Sequence, residues 1–167
     1  MRLRSKTSLA GRLAIAGIAT VLGALAVSSG IAAPPFTGLS GAWAGAGRIT
    51  MSDGSSEPIR CKATYTADKA GTKLDQVLRC ASDSYKFNVK SKVGADGNAL
   101  SGQWTETTYN LTGTFTGTVK GAKIEGRVRG SGLMIGVALV TRGNQQQARF
   151  LSQGTEMREV RISLTKR

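Results

Sequence analysis

Apolar and polar side chains alternate with a period of two along most of this chain, from Leu39 to its last residues. Such alternation is typical of β-strands that have one face in a core and the other in solvent. Turn-forming pairs rich in Gly, Asn and Asp interrupt the pattern at short intervals. The pattern predicts an all-β protein with candidate strands at 39–51, 58–66, 73–81, 84–93, 98–108, 109–119, 122–130, 133–141, 146–152 and 157–165.

The turns between these strands determine the architecture. Pairs such as Ala70-Gly71 and Lys120-Gly121 leave no room for a crossover helix, so successive strands must be antiparallel. A meander with one apolar face leaves two unpaired edges unless the sheet closes. We therefore predict an antiparallel up-and-down barrel of eight to ten short strands. A membrane-spanning barrel is the competing architecture, but its outward lysines and arginines would face lipid at a cost of a few kcal/mol each.

The first 32 residues differ in composition from the rest of the chain. Met1–Arg12 carries four basic residues and no acid, and Leu13–Val27 is apolar except for one threonine. A basic start, an apolar stretch of about 15 residues and a small-residue exit are typical of a secretory signal peptide. An uncleaved membrane anchor is the alternative, because the stretch with its flanks is nearly long enough to span. The predicted organisation is a cleaved signal peptide at 1–32, a short linker at 33–38 and a β-barrel domain at 39–167.

Export would place the mature chain in the periplasm or outside the cell. The whole chain has 23 basic and 10 acidic residues, a net charge of +13, and removal of residues 1–32 with their four basic residues lowers it to +9. A cationic domain favours anionic partners such as acidic lipid or polysaccharide. Nucleic acid is not expected, because its binding modules add exposed aromatics and this chain is only 5% aromatic. The candidate anionic-partner surface consists of the outward-register cations Lys86, Lys90, Lys92, Lys123, Arg127 and Arg129, although a merely solvated face is the alternative.

Two cysteines lie in consecutive candidate strands. A hairpin that turns at Ala70-Gly71 places Cys61 opposite Cys80. The same register places Tyr65 opposite Gln76. An even number of cysteines in an exported chain favours a disulfide, and the close C-x-x-C pair of redox catalysts is absent. We predict a structural Cys61–Cys80 bridge that contributes about 3 kcal/mol in the chain-entropy model.

Alternation also predicts which side chains point into the barrel. The large ones are candidates for the lining of a ligand cavity: Trp43, Tyr65, Phe87, Trp104, Phe115, Ile135 and Phe150. The alternative is that most of them are simply core. Several glycines also occupy inward-facing positions: Gly102, Gly113, Gly117 and Gly126. They either permit the sharp coiling of a small barrel or leave internal space for a ligand.

Catalytic chemistry has little support in this composition. The chain has no histidine, which removes the commonest general base and the commonest metal ligand. The ten acids are dispersed, and only Glu106 lies on an inward register, near a strand end, where a rim position is the expected role. The run Asn144–Gln147 predicts a polar hairpin tip. We expect no catalytic residue, no metal site and no cofactor.

Leu39-Ser40-Gly41-Ala42-Trp43 opens the first strand with a Gly-x-Trp signature. It resembles the start of calycin-type barrels, the lipocalin and avidin-like group, in which such a Trp plugs the closed end. With the Cys61/Cys80 pair, the chain also resembles small exported alphaproteobacterial proteins of unknown function. A weaker likeness is to bacterial periplasmic inhibitors of secreted metalloproteases, small one-disulfide barrels that reach the protease zinc with an N-terminal tail.

The resulting functional hypothesis is a non-enzymatic, exported small β-barrel. It would bind an apolar or amphiphilic small molecule in its interior or an anionic envelope component on its surface. The alternative is a protein-interaction module, such as a periplasmic protease inhibitor that acts through Ala33–Leu39.

Overall fold

The computed structural model describes residues 33–167. These residues form ten strands: β1 (Gly41–Met51), β2 (Ser56–Ala67), β3 (Lys73–Ala81), β4 (Lys86–Asp96), β5 (Ala99–Glu106), β6 (Leu111–Lys120), β7 (Lys123–Gly130), β8 (Leu133–Arg142), β9 (Gln145–Ser152) and β10 (Met157–Lys166). The predicted all-β class is confirmed. The predicted signal peptide at 1–32 lies outside the described residues. Within 33–167, no helix is long and apolar enough to cross a membrane.

Each strand pairs antiparallel with the next, and β1 pairs with β10, so the sheet closes into the predicted meander barrel. Closure gives every strand two hydrogen-bonded neighbours and leaves no edge. Two-residue turns join several hairpins, and Gly97 and Gly121 begin two of them at φ of 55° and 54°. Positive φ at this position is what tight hairpin turns require. We call the end with the β2–β3, β4–β5, β6–β7 and β8–β9 turns the lower end, and the opposite end the upper end.

The period-two pattern corresponds to the two faces of the barrel wall. On β2, Ile59, Cys61 and Tyr65 point inward and are at most 4% exposed, while Arg60 and Lys62 between them are exposed. The β2–β3 register is the one predicted, with Tyr65 opposite Gln76 and Cys61 opposite Cys80. The two cysteines are bonded to each other, as predicted.

The lower end is closed by the segment that precedes β1. Phe36 and Trp43 are each 1% exposed, and Leu39 is also buried. The Trp43 Nε1–H donates to the Leu39 carbonyl at 2.9 Å, and the Phe36 N–H donates to the Gly71 carbonyl at 3.1 Å. The predicted linker at 33–38 therefore contributes a side chain to the core and is held by the β2–β3 turn.

Inward glycines permit close contact inside the barrel. A Cβ added at Gly47 on β1 would lie 1.8 Å from the backbone oxygen of Arg161 on β10. A Cβ at Gly126 would lie 2.5 Å from Cε2 of Phe115. The space over these glycines is thus filled by neighbouring backbone or by the Phe115 ring. This favours sharp coiling over ligand space as the reason for the glycines.

Candidate functional site: a two-lobed cavity inside the barrel

The barrel interior contains two adjoining cavities. The lower cavity has a volume of about 110 Å³, and the upper cavity, nearer the upper end, has a volume of about 150 Å³. They share Leu78, Phe150 and Ile162 in their walls, so this layer forms the boundary between them. An engineered apolar cavity of about 150 Å³ in another protein holds a benzene molecule. Each lobe is therefore roughly the size of one small ring or a short alkyl chain.

The walls of both cavities are mostly apolar. Besides the shared layer, the lower cavity is lined by apolar side chains that include Phe36, Leu74, Leu100, Ile124, Leu139 and Leu164. The upper cavity is lined by apolar side chains that include Ile59, Phe87, Val89, Ile135, Met157 and Val160. Such walls suit an apolar group and offer few hydrogen bonds to water.

Six of the seven predicted lining residues contact a cavity. Tyr65, Trp104 and Phe115 line the lower cavity, Phe87 and Ile135 line the upper cavity, and Phe150 lines both. Trp43 lines neither. Its ring lies edge-on to Tyr65 with centroids 6.0 Å apart, and it closes the lower end.

Polar groups gather at one level of the lower cavity. Tyr65, Gln76 and Ser91 occupy directly opposed positions on β2, β3 and β4. The Tyr65 hydroxyl donates to Gln146 Oε1 at 2.6 Å, and Gln146 Nε2 donates to Thr141 Oγ1 at 3.0 Å. Burial raises the pKa of the Tyr65 phenol, which keeps it protonated and able to donate.

Sequence reasoning missed the polar lining residues. Gln146 was expected in a polar hairpin tip, but it is 2% exposed and hydrogen-bonded across the barrel interior. The turn itself is Gly143-Asn144, directly before β9 begins at Gln145, so Gln146 is the second residue of the strand. The available signal was register, because Gln146 shares the inward face of β9 with Ala148 and Phe150. Gln76 and Ser91 lie on the inward registers of β3 and β4 in the same way.

Glu106 has a structural role at the upper end. Its carboxylate accepts hydrogen bonds from the backbone N–H of Asn88 at 2.7 Å and of Tyr109 at 2.6 Å. Burial acts to raise the pKa of this carboxyl, but the backbone donors, including Thr108, outweigh it and hold the pKa below its usual value. The carboxylate of Glu106 therefore anchors the β5–β6 loop to the start of β4. Within 33–167, no group of acids and cysteines is arranged to hold a metal.

The six predicted surface cations form two groups, on β4 and β7, with β5 and β6 between them. Two of them are paired: Lys92 with Asp75 at 3.0 Å, and Lys123 with Glu125 at 2.7 Å. A denser group lies across β2, β3 and β4, and sequence reasoning identified only part of it. This cationic face consists of the exposed side chains Arg60, Lys62, Arg79, Lys86 and Lys90.

The chain matches no protein-family model and no curated protein. Among solved structures, it is similar to the crystal structure of Rv2717c from M. tuberculosis, with a TM-score of 0.63 and 12% sequence identity. The match covers 78% of this chain and 94% of that chain. The likeness shows the fold alone. It supports a small β-barrel, whereas membership of the calycin group and kinship with the exported proteins or inhibitors stay predictions.

Proposed function

We propose that the mature chain is an exported, non-enzymatic barrel that binds an apolar or amphiphilic small molecule in its two-lobed interior. The observation that carries this proposal is the pair of adjoining, apolar-walled cavities. Protein interiors are normally packed as densely as organic crystals, with few voids larger than water. The apolar side chains that line such spaces lose packing contacts with one another, which costs energy. A bound apolar group would recover part of that energy.

Entry from the upper end fits the distribution of exposure. The lower end is sealed by Phe36 and Trp43, each 1% exposed. Inward side chains of the upper cavity, such as Phe87, Ile135 and Met157, are only partly buried. The Cys61–Cys80 bond supports the exported location, because such bonds persist in oxidising compartments.

Filling the lower cavity is expected to weaken ligand binding strongly without unfolding the barrel. Ala148 on β9 lines this cavity, so in an Ala148→Leu variant the larger side chain would occupy space that a ligand needs. We expect at least about a tenfold loss of affinity for 2-octanone, a small neutral amphiphile, with at most a modest change in stability because the cavity accepts the added carbons. Tryptophan fluorescence titration measures the binding, since Trp104 lines the cavity.

Ala138→Leu is the matched control. Ala138 lies on the neighbouring strand β8, with its side chain on the outside of the barrel beside Arg149. This variant should bind 2-octanone as the parent protein does. Equal binding by parent, Ala148→Leu and Ala138→Leu proteins would place the ligand outside the cavity, and no binding by the parent would contradict the proposal.

A second proposed function, binding of a polyanionic polysaccharide, is favoured by the cationic face. Lys62 and Arg79 are directly opposed on β2 and β3. Like charges in this arrangement destabilise a sheet, and a bound polyanion would relieve their repulsion. Among residues 33–167, no carboxylate forms an ion pair with any of the five side chains. The face carries none of the exposed large hydrophobic residues, Tyr109, Met134 and Leu151, that could anchor a barrel in lipid. A flexible anionic polymer therefore fits it better than a membrane.

Charge reversal on the cationic face should weaken this binding. We expect a Lys62→Glu/Arg79→Glu double variant to lose on the order of tenfold in affinity for heparin at low salt. The control is Lys120→Glu/Arg142→Glu, which changes the net charge equally at the lower end. Equal losses of heparin affinity in both variants would mean that the protein attracts the polyanion through its net charge alone. Stronger binding to phosphatidylglycerol vesicles than to heparin would mean that the partner of the cationic face is acidic lipid and not a polysaccharide.

The protease-inhibitor alternative has less support. Its proposed contact segment, Ala33–Leu39, is packed against the lower end through Phe36 and Leu39. A tail held in this way is not free to extend into a protease.

A further inference from the structure

We infer that the interior ligand is an uncharged amphiphile whose hydrogen-bond acceptor is bound by Gln76, with Ser91 beside it, in the lower cavity. This inference rests on the proposed ligand-binding function and specifies the chemistry of the molecule. It follows from three features of the lower cavity: the unused donors of one amide, the lack of charge in the walls, and the position of the polar groups below an apolar layer.

Gln76 is the amide with hydrogen-bonding capacity to spare. It faces the lower cavity between Tyr65 and Ser91, and its Oε1 accepts a hydrogen bond from Ser91 Oγ at 3.4 Å. That is a long contact, which a ligand can readily compete with. Among the hydrogen bonds of residues 33–167, the Gln76 Nε2 group donates to no protein atom. The two N–H donors of this amide are therefore free of protein partners and available to an acceptor on a ligand.

The other polar groups at this level are already committed to one another. The Tyr65 hydroxyl donates to Gln146 Oε1, and Gln146 Nε2 donates to Thr141 Oγ1. These two hydrogen bonds connect β2 to β9 and β9 to β8. The Tyr65 hydroxyl and the Gln146 amide gain less from a ligand, because each already donates a hydrogen bond within the protein. Gln76 and Ser91 are thus the groups of the lower cavity that a polar ligand atom would satisfy.

No charged side chain lines the lower cavity. An ionised ligand group would lose its hydration there without gaining a counter-charge, which is strongly unfavourable. The one charged residue in the wall of the upper cavity, Glu159, is held by Arg149 and Arg161. The acceptor is therefore a neutral group such as a ketone, aldehyde, ester or alcohol, and a carboxylate is disfavoured.

The layering orients the ligand. The row of Tyr65, Gln76 and Ser91 lies next to the sealed lower end, with Leu74 below Gln76 on β3 and Leu78 above it. Leu78 belongs to the layer shared with the upper cavity. The polar head would lie deep in the barrel, and the alkyl or aromatic part would pass this layer toward the upper end.

The test compares three eight-carbon probes that differ in the head group: 2-octanone, 1-octene and octanoate at neutral pH. One hydrogen bond to Gln76 should make 2-octanone bind roughly three- to tenfold more tightly than 1-octene. Octanoate should bind most weakly. In a Gln76→Leu variant, 1-octene should bind at least as well as before, and the preference for the ketone should disappear.

Gln147→Leu is the matched control, because Gln147 is exposed on the outside of β9 and the same replacement there should leave the preference intact. Ser91→Ala is a smaller change on the same row of polar residues, and it should reduce the preference for 2-octanone over 1-octene. This variant replaces Gln76→Leu in the test if the Gln76→Leu protein does not fold. Failure of all three probes to bind would remove the proposed function itself. Binding of 2-octanone and 1-octene with equal affinity, or tightest binding of octanoate, would overturn this inference and leave the cavity function standing.

Discussion

Replacing Gly47 by alanine is expected to destabilise the barrel by about 3 kcal/mol or more. Gly47 lies on β1 at the seam where β10 closes the sheet, and it faces Ile162 in the ladder. An added Cβ would lie 1.8 Å from the Arg161 oxygen and 2.8 Å from the Ile162 Cα. Both are backbone atoms, so relief requires the two strands to separate. Urea denaturation of the purified variant, followed by circular dichroism, measures the loss.

The control is Gly136→Ala on β8, another glycine in the middle of a strand. A Cβ there would approach nothing closer than the Leu151 oxygen at 3.8 Å, an ordinary contact distance. Alanine costs less backbone entropy than glycine on folding, so this variant should be neutral or up to roughly 1 kcal/mol more stable. If Gly47→Ala and Gly136→Ala proteins unfolded at the same urea concentration, that result would contradict the close backbone contact between β1 and β10 at Gly47.

The barrel could be predicted from the sequence because its pattern is local. Alternation determines which residues of a strand face inward, and a two-residue turn determines the register of the next strand. Counting outward from a turn centred on Ala70-Gly71 was enough to predict the pairing of Cys61 with Cys80, although the β2–β3 connection itself spans five residues, 68–72. Ten antiparallel strands with short turns then leave closure as the way to remove the sheet edges.

Strand ends were less predictable because their limits depend on contacts between distant residues. The fourth strand was expected at 84–93 but runs Lys86–Asp96. Before it, the Tyr85 N–H donates to Ser82 Oγ and the Ser82 N–H donates to the Tyr85 carbonyl, which forms a tight turn. Glu57, 25 residues earlier, accepts hydrogen bonds from the Ser82 and Ser84 hydroxyls and holds that turn. No local pattern contains this information.

The candidate site was predictable only in its apolar part. Large inward side chains such as Trp104 and Phe150 follow from alternation, and both line a cavity. The polar part depends on pairs that are far apart in the chain: Tyr65 and Gln146, which meet inside the barrel, are separated by 81 residues. Whether the interior is filled or hollow depends on the sum of side-chain volumes around a closed wall. Periodicity does not report that sum.

Removing the Cys61–Cys80 bond is expected to lower the free energy of unfolding by about 3 kcal/mol, because the bond closes a loop of about 18 residues and restricts the unfolded chain. A Cys61→Ala/Cys80→Ala variant tests this by urea denaturation. Both side chains are buried, so the variant also loses packing.

The control that keeps both sulfurs is parent protein reduced with dithiothreitol. The reduced parent should lose most of the roughly 3 kcal/mol. The difference in stability between the reduced parent and the double variant measures packing beside the upper cavity, which Cys80 lines. Equal stability of reduced and oxidised parent would mean that the bond does not constrain the unfolded chain, and the closed ladder alone would then account for the stability of this hairpin.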